Sequence, residues 1–341
     1  MIKKKELVLF LVTLLLLPFV SADFSIVMLP DTQKYSAYYP EIFTQQTQWI
    51  ADNVDDLNIV FVTHVGDVVD NWDSIQQWNN AKASMSVLDG KVAYGVAPGS
   101  SPHDMSPSRN TTFFNQYFPA GRISTNTYPA GKNDNSYHLF SADGTDYIII
   151  QLIFCPTEDV IQWTNNILQQ NSTRQAIITT HGFLNAIGGR NIHSASGGCI
   201  ALINNTQYIW DELIYPNPNV FLVLSGHVHT EARRVDPNVA GKPVYQLLAD
   251  YQDLPNGGDG WLRILKFSGD NIYVQTYSPF LDSYQTDTDS EFTVSLSQTN
   301  NNYIIVIYMI SLLVGLILLV TYYHLPKRKI RKYFLKVLRL G

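Results

Sequence analysis

Five short apolar runs, each predicted to form a buried β-strand, constrain the fold of this 341-residue chain more than any other feature. These runs are residues 24–29, 59–62, 147–150, 177–178 and 220–224. Between them, apolar side chains recur at spacings of three and four, which predicts helices within residues 43–54, 78–88 and 160–167. We assign the aromatic and methionine side chains of these helices to the core. Alternating strands and helices indicate a layered α/β fold.

Four of the predicted strands run directly into side chains that can bind metal. The first is followed by Asp31 and Gln33, the second by His64, Asp67 and Asp70, the fourth by His181, and the fifth by His227 and His229. Because ligand sites in open α/β sheets lie beyond the carboxyl ends of strands, we expect these side chains to meet at one edge. In an extended segment His227 and His229 would also point the same way. Carboxylate and imidazole together suit Zn, Fe or Mn. Taken singly, each residue has an ordinary role as a cap, a turn residue or a core hydrogen-bonding group, so the prediction depends on the combination.

The order of these motifs resembles that of the calcineurin-like metallophosphoesterases. That family is marked by Asp-x-His, Gly-Asp-x-x-Asp, Gly-Asn-His-Asp/Glu, a lone His and Gly-His-x-His. The corresponding segments here are Asp31-Thr32-Gln33, Gly66-Asp67-Val68-Val69-Asp70, an altered third element, His181, and Gly226-His227-Val228-His229. The first segment is similar to that of extracellular members with Asp-Thr-Gln. The resemblance implies a sandwich of two mixed β-sheets flanked by helices over residues 23–297.

The resemblance also implies a centre of two transition-metal ions, Mn, Fe or Zn, with Asp67 bridging them. The further ligands implied for one ion are Asp31, Gln33 and His229. Those implied for the other are His181 and His227. Two ions in such a centre can hold a bridging hydroxide and stabilise in-line displacement at phosphorus. Supporting hydrogen bonds, rather than metal contacts, are the roles implied for His64 and Asp70.

Two departures from the family pattern bear on activity. Gln33 stands where the family usually has His, and its neutral amide oxygen is the weaker ligand. The third element reads Gly99-Ser100-Ser101-Pro102-His103-Asp104, with two extra residues and no Asn. Ser100 offers at best a hydroxyl oxygen to the metal, whereas His103 and Asp104 keep the catalytic acid and its orienting carboxylate. The pattern is therefore compatible with two metal ions or with only one retained.

Both ends of the chain carry targeting signals. Residues 1–22 combine a basic start, an apolar stretch and small residues before a cleavage site, as in a secretory signal peptide. After a polar spacer at 298–302, residues 303–324 are apolar enough to span a membrane, and the basic tail at 325–341 is expected in the cytoplasm. This predicts a single-pass membrane protein with its ectodomain outside. Sequons at Asn110, Asn171 and Asn204 fit a glycoprotein.

The net charge of the predicted ectodomain indicates which class of substrate is favoured. Residues 23–302 carry 13 basic and 28 acidic side chains, which disfavours a nucleic-acid polymer as partner and favours a small phosphoester. We therefore expect a membrane-anchored, extracytoplasmic phosphoesterase acting on a small phosphomonoester or phosphodiester. One alternative is a degenerate relative that only binds a partner or glycan, for example through the Tyr-rich residues 35–39. Another is a different metal-assisted hydrolysis, of an amide or a pyrophosphate. The two cysteines, Cys155 and Cys199, allow one disulfide bridge.

Overall fold

A computed structural model describes residues 23–190 and 206–296, all of which belong to one compact unit. The predicted signal peptide, spacer, transmembrane helix and cytoplasmic tail lie outside the described residues. Among the helices that are described, none has both the length and the apolar character needed to cross a membrane. The described residues therefore correspond to the predicted ectodomain, apart from residues 191–205 and 297.

The first sheet has seven strands in the order β13-β12-β11-β1-β2-β3, with β14 paired to β12. Strands β1, β2 and β3 are parallel, whereas β11 and β12 run antiparallel to their neighbours. The bounds are β1 Phe24–Leu29, β2 Ile59–His64, β3 Tyr94–Val96, β11 Leu262–Ser268, β12 Asn271–Ser278, β13 Ser283–Gln285 and β14 Phe292–Ser295. This sheet is mixed, as predicted.

The second sheet also has seven strands, in the order β4-β5-β6-β7-β8-β10-β9. Its centre, from β6 to β10, is parallel, and both edges are antiparallel. The bounds are β4 Thr127–Tyr128, β5 Asn135–Ala142, β6 Thr145–Leu152, β7 Gln175–Thr180, β8 Val220–Ser225, β9 Glu231–Pro237 and β10 Pro243–Ala249. The predicted pair of mixed sheets is confirmed.

Helices cover the outer faces of both sheets. Their bounds are α1 Gln33–Tyr38, α2 Pro40–Asp52, α3 Ile75–Ser86, α4 Thr112–Tyr117, α5 Glu158–Gln170, α6 Thr206–Ile209, continued by a wider turn at Trp210–Ile214, and α7 Pro255–Gly258. Along β1, Ile26 and Met28 face the second sheet, whereas Val27 and Leu29 pack beneath the helices. The strand is apolar throughout because both of its faces are buried.

The topology gathers several strand ends at one place. Parallel strands β1 and β2 of the first sheet end at Leu29 and His64. Parallel strands β7, β8 and β10 of the second sheet end at Thr180, Ser225 and Ala249. The residues that follow these ends form the candidate site.

Candidate metal centre

Three predicted ligands converge where β2, β7 and β8 end. The ligand atoms of Asp67, His181 and His227 all lie within 4.8 Å of one another. His181 Nε2 is 3.2 Å from Asp67 Oδ2 and 3.1 Å from His227 Nδ1. His181 donates its other ring N–H to the backbone oxygen of Val65, at 3.1 Å, which leaves Nε2 facing the cluster. One carboxylate and two imidazoles at this spacing suit Zn, Fe or Mn.

Glycines allow the backbone segments of the site to approach closely. A Cβ atom at Gly226 would lie 2.0 Å from Asp31 Oδ1, and one at Gly99 would lie 2.0 Å from the backbone nitrogen of Asp67. Gly66 and Asp67 themselves have φ of 104° and 50° and turn the chain sharply after β2. The positions of the acidic groups therefore depend on glycine at 66, 99 and 226.

Asp67 lies at the centre of the cluster and is 2% exposed. Its Oδ1 accepts the backbone N–H of Ser100 at 2.5 Å, and its Oδ2 accepts the Ser100 hydroxyl at 3.1 Å. Burial acts to raise the pKa of Asp67, but the charge and hydrogen bond of His181 hold that pKa well below its usual range. The carboxylate is thus ionised at neutral pH, as a metal ligand must be.

Asp31 provides carboxylate oxygens beside this cluster, 3.9 Å from His181 Nδ1, and Gln33 provides a buried amide oxygen at the start of α1. The Asp31 carboxylate accepts the backbone N–H of His227 at 3.2 and 3.3 Å. Burial, with the charges of Asp250 and Asp67, raises the pKa of Asp31 well above its usual range. Gln33 Oε1 is buried without a hydrogen-bond partner among the described residues. A buried, unpaired oxygen and crowded buried carboxylates both favour a bound cation, so the residues present fit a metal centre.

His229 and His227 have different contacts. His227 has φ of 74°, so the expectation of an extended segment is wrong. His227 faces His181, whereas His229 Nδ1 lies 2.6 Å from Asp253 Oδ2 and its side chain is 43% exposed. The Nε2 atom of His229 is 4.0 Å from Asp250 Oδ2. His229 therefore lies at the rim of the site.

Sequence reasoning missed Asp250, which is buried at 1% exposure directly after β10. The signal was present, because Asp250 follows the strand Pro243–Ala249 as Asp31 follows β1. That strand was not predicted. Burial raises the pKa of Asp250, as it does that of Asp31.

His103 and Asp104, the two predicted catalytic residues of the altered third element, have different hydrogen-bond partners. His103 donates its Nδ1 hydrogen to the backbone oxygen of Asp70 at 2.7 Å, and its Nε2 is 3.9 Å from Asp67 Oδ2. Asp104 instead accepts three backbone N–H groups, from residues 68, 69 and 99, at 2.8–3.2 Å. Asp104 therefore braces the two loops of the site rather than orienting His103.

His64 and Asp70 occupy supporting positions. Gly66 donates its backbone N–H to His64 Nδ1 at 3.1 Å, so the opposite nitrogen donates to the Thr32 hydroxyl at 2.9 Å. Burial, with the charge of His181, lowers the pKa of His64 to about 3, and the ring is neutral. Asp70 forms an ion pair with Lys34 at 2.8 Å. Both residues hold the chain around the cluster rather than face it.

The two mixed sheets have a calcineurin-like metallophosphoesterase fold. No family model matches the chain. Among solved structures, the fold is similar to purple acid phosphatase PPD1 from yellow lupin (Lupinus luteus), with a TM-score of 0.51 and 15% identity over 82% of this chain and 55% of that one. It is also similar to GAP50, the anchor in the inner membrane complex of Plasmodium, with a TM-score of 0.50 and 10% identity over 82% of this chain and 90% of that one. At these identities the likeness shows the fold alone.

A sequence relative is the uncharacterized protein YvnB of Bacillus subtilis (strain 168). The two are 39% identical over 292 residues, which cover 80% of this chain. The same region is 22% of YvnB, so the chain spans only about a fifth of the length of this curated relative.

Proposed function

We propose that the protein is a membrane-anchored, extracytoplasmic, metal-dependent phosphoesterase that hydrolyses a small phosphomonoester or phosphodiester. The observation that carries this proposal is the convergence of Asp67, His181 and His227 within 4.8 Å at the strand ends. The fold shared with a purple acid phosphatase supports it. The acidic ectodomain favours small substrates over polyanions, because long-range repulsion acts against the latter.

The metal ions, when bound, supply Lewis acidity toward the phosphoryl group and make a water molecule acidic enough to react at neutral pH. Asp67, His181 and His227 would hold one ion, and Asp31, Gln33 and His229 would hold a second, with Asp67 shared between the two. His103 is suited to protonate the leaving oxygen, because its side chain is 25% exposed and Nε2 lies toward Asp67. The backbone oxygen of Asp70 fixes the ring by accepting the Nδ1 hydrogen.

A binding protein without turnover is the second candidate. It is favoured by the Ser100 contacts, which occupy the Asp67 carboxylate at the point where the family has a metal-binding Asn. It is also favoured by the exposure of His229. GAP50, which shares the fold, is described as an anchor.

The test measures bound metal and hydrolysis on the same full-length protein, purified in detergent. Metal per chain is determined after loading with Mn, Fe or Zn, and hydrolysis is followed with p-nitrophenyl phosphate and bis-p-nitrophenyl phosphate. We expect Asp67→Asn and His181→Ala each to lower hydrolysis by at least about 100-fold, since residues that merely orient ligands cost about 10–100-fold. His138→Gln, at a half-buried histidine on β5 that packs against Phe61, is the control and should retain activity.

The outcomes separate the candidates. Hydrolysis that is undiminished in both Asp67→Asn and His181→Ala contradicts the assignment of the site. Metal bound by the unmodified protein without hydrolysis of any phosphoester favours the binding protein.

A further inference from the structure

We propose that Asp250 is an additional metal ligand, which makes the position shared by Asp31, Gln33 and His229 an oxygen-rich site that is better suited to Mn²⁺ than the imidazole-rich position is. The inference rests on the metal centre of the proposed function and extends it to a residue outside the five motifs. Five strand ends, rather than the four predicted, then contribute side chains to the metal centre.

Backbone pairing places Asp250 beside the histidine segment. Strand β10 lies parallel to β8, with Leu248 opposite Ser225, so the two strands end side by side. The backbone N–H of Asp250 donates to the Thr230 oxygen at 3.0 Å. This backbone hydrogen bond therefore holds Asp250 next to the segment that contains His229.

The side-chain geometry of His229 and Asp250 fits two ligands of one ion. Asp253 accepts the Nδ1 hydrogen of His229 at 2.6 Å, which leaves Nε2 as the metal-binding atom. The 4.0 Å between His229 Nε2 and Asp250 Oδ2 is compatible with two bonds of about 2.0–2.2 Å to a shared ion. Each Asp250 oxygen accepts one hydrogen bond from Gln252, at 3.0 and 3.1 Å, and retains a lone pair.

The charges on this side of the site are not balanced by protein cations. Asp31 and Asp250 are each 1% exposed, and neither forms an ion pair with Lys or Arg in the described part of the chain. Gln33, 4% exposed, adds an amide oxygen that has no hydrogen-bond partner there. Two buried carboxylates beside an unpaired oxygen must either take up a proton or be compensated by a cation, so a bound cation would stabilise them in the ionised form.

The donor atoms determine which cation is preferred. Asp31, Asp250 and Gln33 contribute oxygen, and only His229 contributes nitrogen, a set that suits Mn²⁺. The position formed by Asp67, His181 and His227 is richer in imidazole and suits Zn²⁺ or Fe. A cavity of about 240 Å³, lined by His229, Asp250 and Asp287 among others, leaves this side open for an ion to enter. The two positions therefore differ in preference.

The experiment titrates metal into full-length protein stripped of metal and loaded with one equivalent of Zn²⁺. Mn²⁺ binding is followed by the electron paramagnetic resonance signal of free Mn²⁺, and retained Zn²⁺ by elemental analysis. We expect one Mn²⁺ per chain in the unmodified protein and an affinity at least about 10-fold lower in Asp250→Asn, with Zn²⁺ retained. Asp287→Asn, which removes an acid from the same cavity, is the control and should bind Mn²⁺ as the unmodified protein does.

Asp250→Ser provides a second removal of the carboxylate should the Asn variant not fold, and the same loss of Mn²⁺ is expected. Unchanged Mn²⁺ affinity in either folded variant overturns the role of Asp250, while Zn²⁺ binding leaves the proposed function standing. Binding of Zn²⁺ but no Mn²⁺ by the unmodified protein also overturns it. Absence of both ions from the unmodified protein contradicts the proposed function as well.

Discussion

Arg263 and Glu231 form a buried ion pair whose removal should be costly. Arg263 lies on β11 with its side chain 1% exposed, and its guanidinium contacts the Glu231 carboxylate at the start of β9. It also donates to the backbone oxygens of Asp289 at 3.0 Å and Leu248 at 3.4 Å. Because Glu231 follows His229 by two residues, this pair also anchors the rim of the metal centre. The substitution Arg263→Met removes the cation and keeps most of the apolar volume.

The loss of stability expected for Arg263→Met depends on the groups that remain around the Glu231 carboxylate. Its carboxylate still accepts hydrogen bonds from Tyr251, Thr276 and Ser290, at 2.5–3.2 Å, but these donors are neutral. Removing one partner of a buried ion pair costs about 3–5 kcal/mol, since it leaves an uncompensated charge. Glu231 is 12% exposed, so we expect the lower end, about 3 kcal/mol. The free energy of unfolding of such domains is usually about 5–15 kcal/mol, so this cost is a large share of it.

Urea unfolding of four proteins measures this coupling: unmodified, Arg263→Met, Glu231→Gln and the double variant. The double variant should be more stable than the sum of the single costs predicts, by about 1–3 kcal/mol, because Gln can still accept from the neutral donors without leaving a charge. Lys266→Met, on the same strand, is the control. Lys266 pairs with Asp23 at the surface, with side chains 46% and 40% exposed, so its loss should cost less than about 1 kcal/mol.

Two results would refute the reasoning. One is a cost for Arg263→Met as small as that for Lys266→Met. The other is strict additivity of the two single substitutions, which would mean that the pair is not coupled energetically.

Further predictions concern the metal centre itself. Gly226→Ala should lower the free energy of unfolding in urea by about 1–3 kcal/mol and weaken metal binding, because its Cβ would lie 2.0 Å from Asp31 Oδ1. Burial and the charge of Asp67 raise the pKa of Asp104 from 3.8 to about 7, so below pH 4 this group is protonated in both states and contributes nothing. As pH rises from about 4 to about 7, the unfolded chain alone loses the proton, and the unfolding free energy of metal-free protein should fall relative to Asp104→Asn; a constant difference in urea unfolding at pH 4 and pH 7 would contradict this. Chelation should lower the melting temperature of the unmodified protein but not of Asp67→Asn, which calorimetry can check.

The strands and the helices on the sheets could be predicted because their buried positions appear in the sequence as apolar residues at regular spacings. The run at residues 24–29 became β1 over the same bounds, and the spacing of Trp78, Ala81 and Met85 became the buried face of α3. In β1 the apolar residues are continuous because alternate side chains enter different cores, between the sheets and beneath the helices. This information is local, so a short stretch of sequence contains it.

The orientations of the third and fifth motifs could not be predicted in the same way. His229 is held by Asp253, 24 residues along the chain, and His103 by the backbone of Asp70, 33 residues before it. The positive φ of His227 depends on the close approach of the Gly226 segment to Asp31. Such contacts are decided by tertiary packing, which no spacing within the motif reports.

Asp250 was not predicted as a ligand because the strand before it, β10, was not predicted. Strand β10 reads Pro-Val-Tyr-Gln-Leu-Leu-Ala, and its proline and glutamine hide the apolar period, although Val244, Leu247 and Leu248 are buried. Gln246 is itself buried and donates a hydrogen bond to Asp236 at 3.0 Å. A polar residue in this strand therefore does not indicate a position that faces solvent. A strand between two others is identified by its neighbours in the sheet, and β10 lies between β8 and β9. One unrecognised strand was therefore enough to leave a buried carboxylate at this edge of the sheets out of the predicted site.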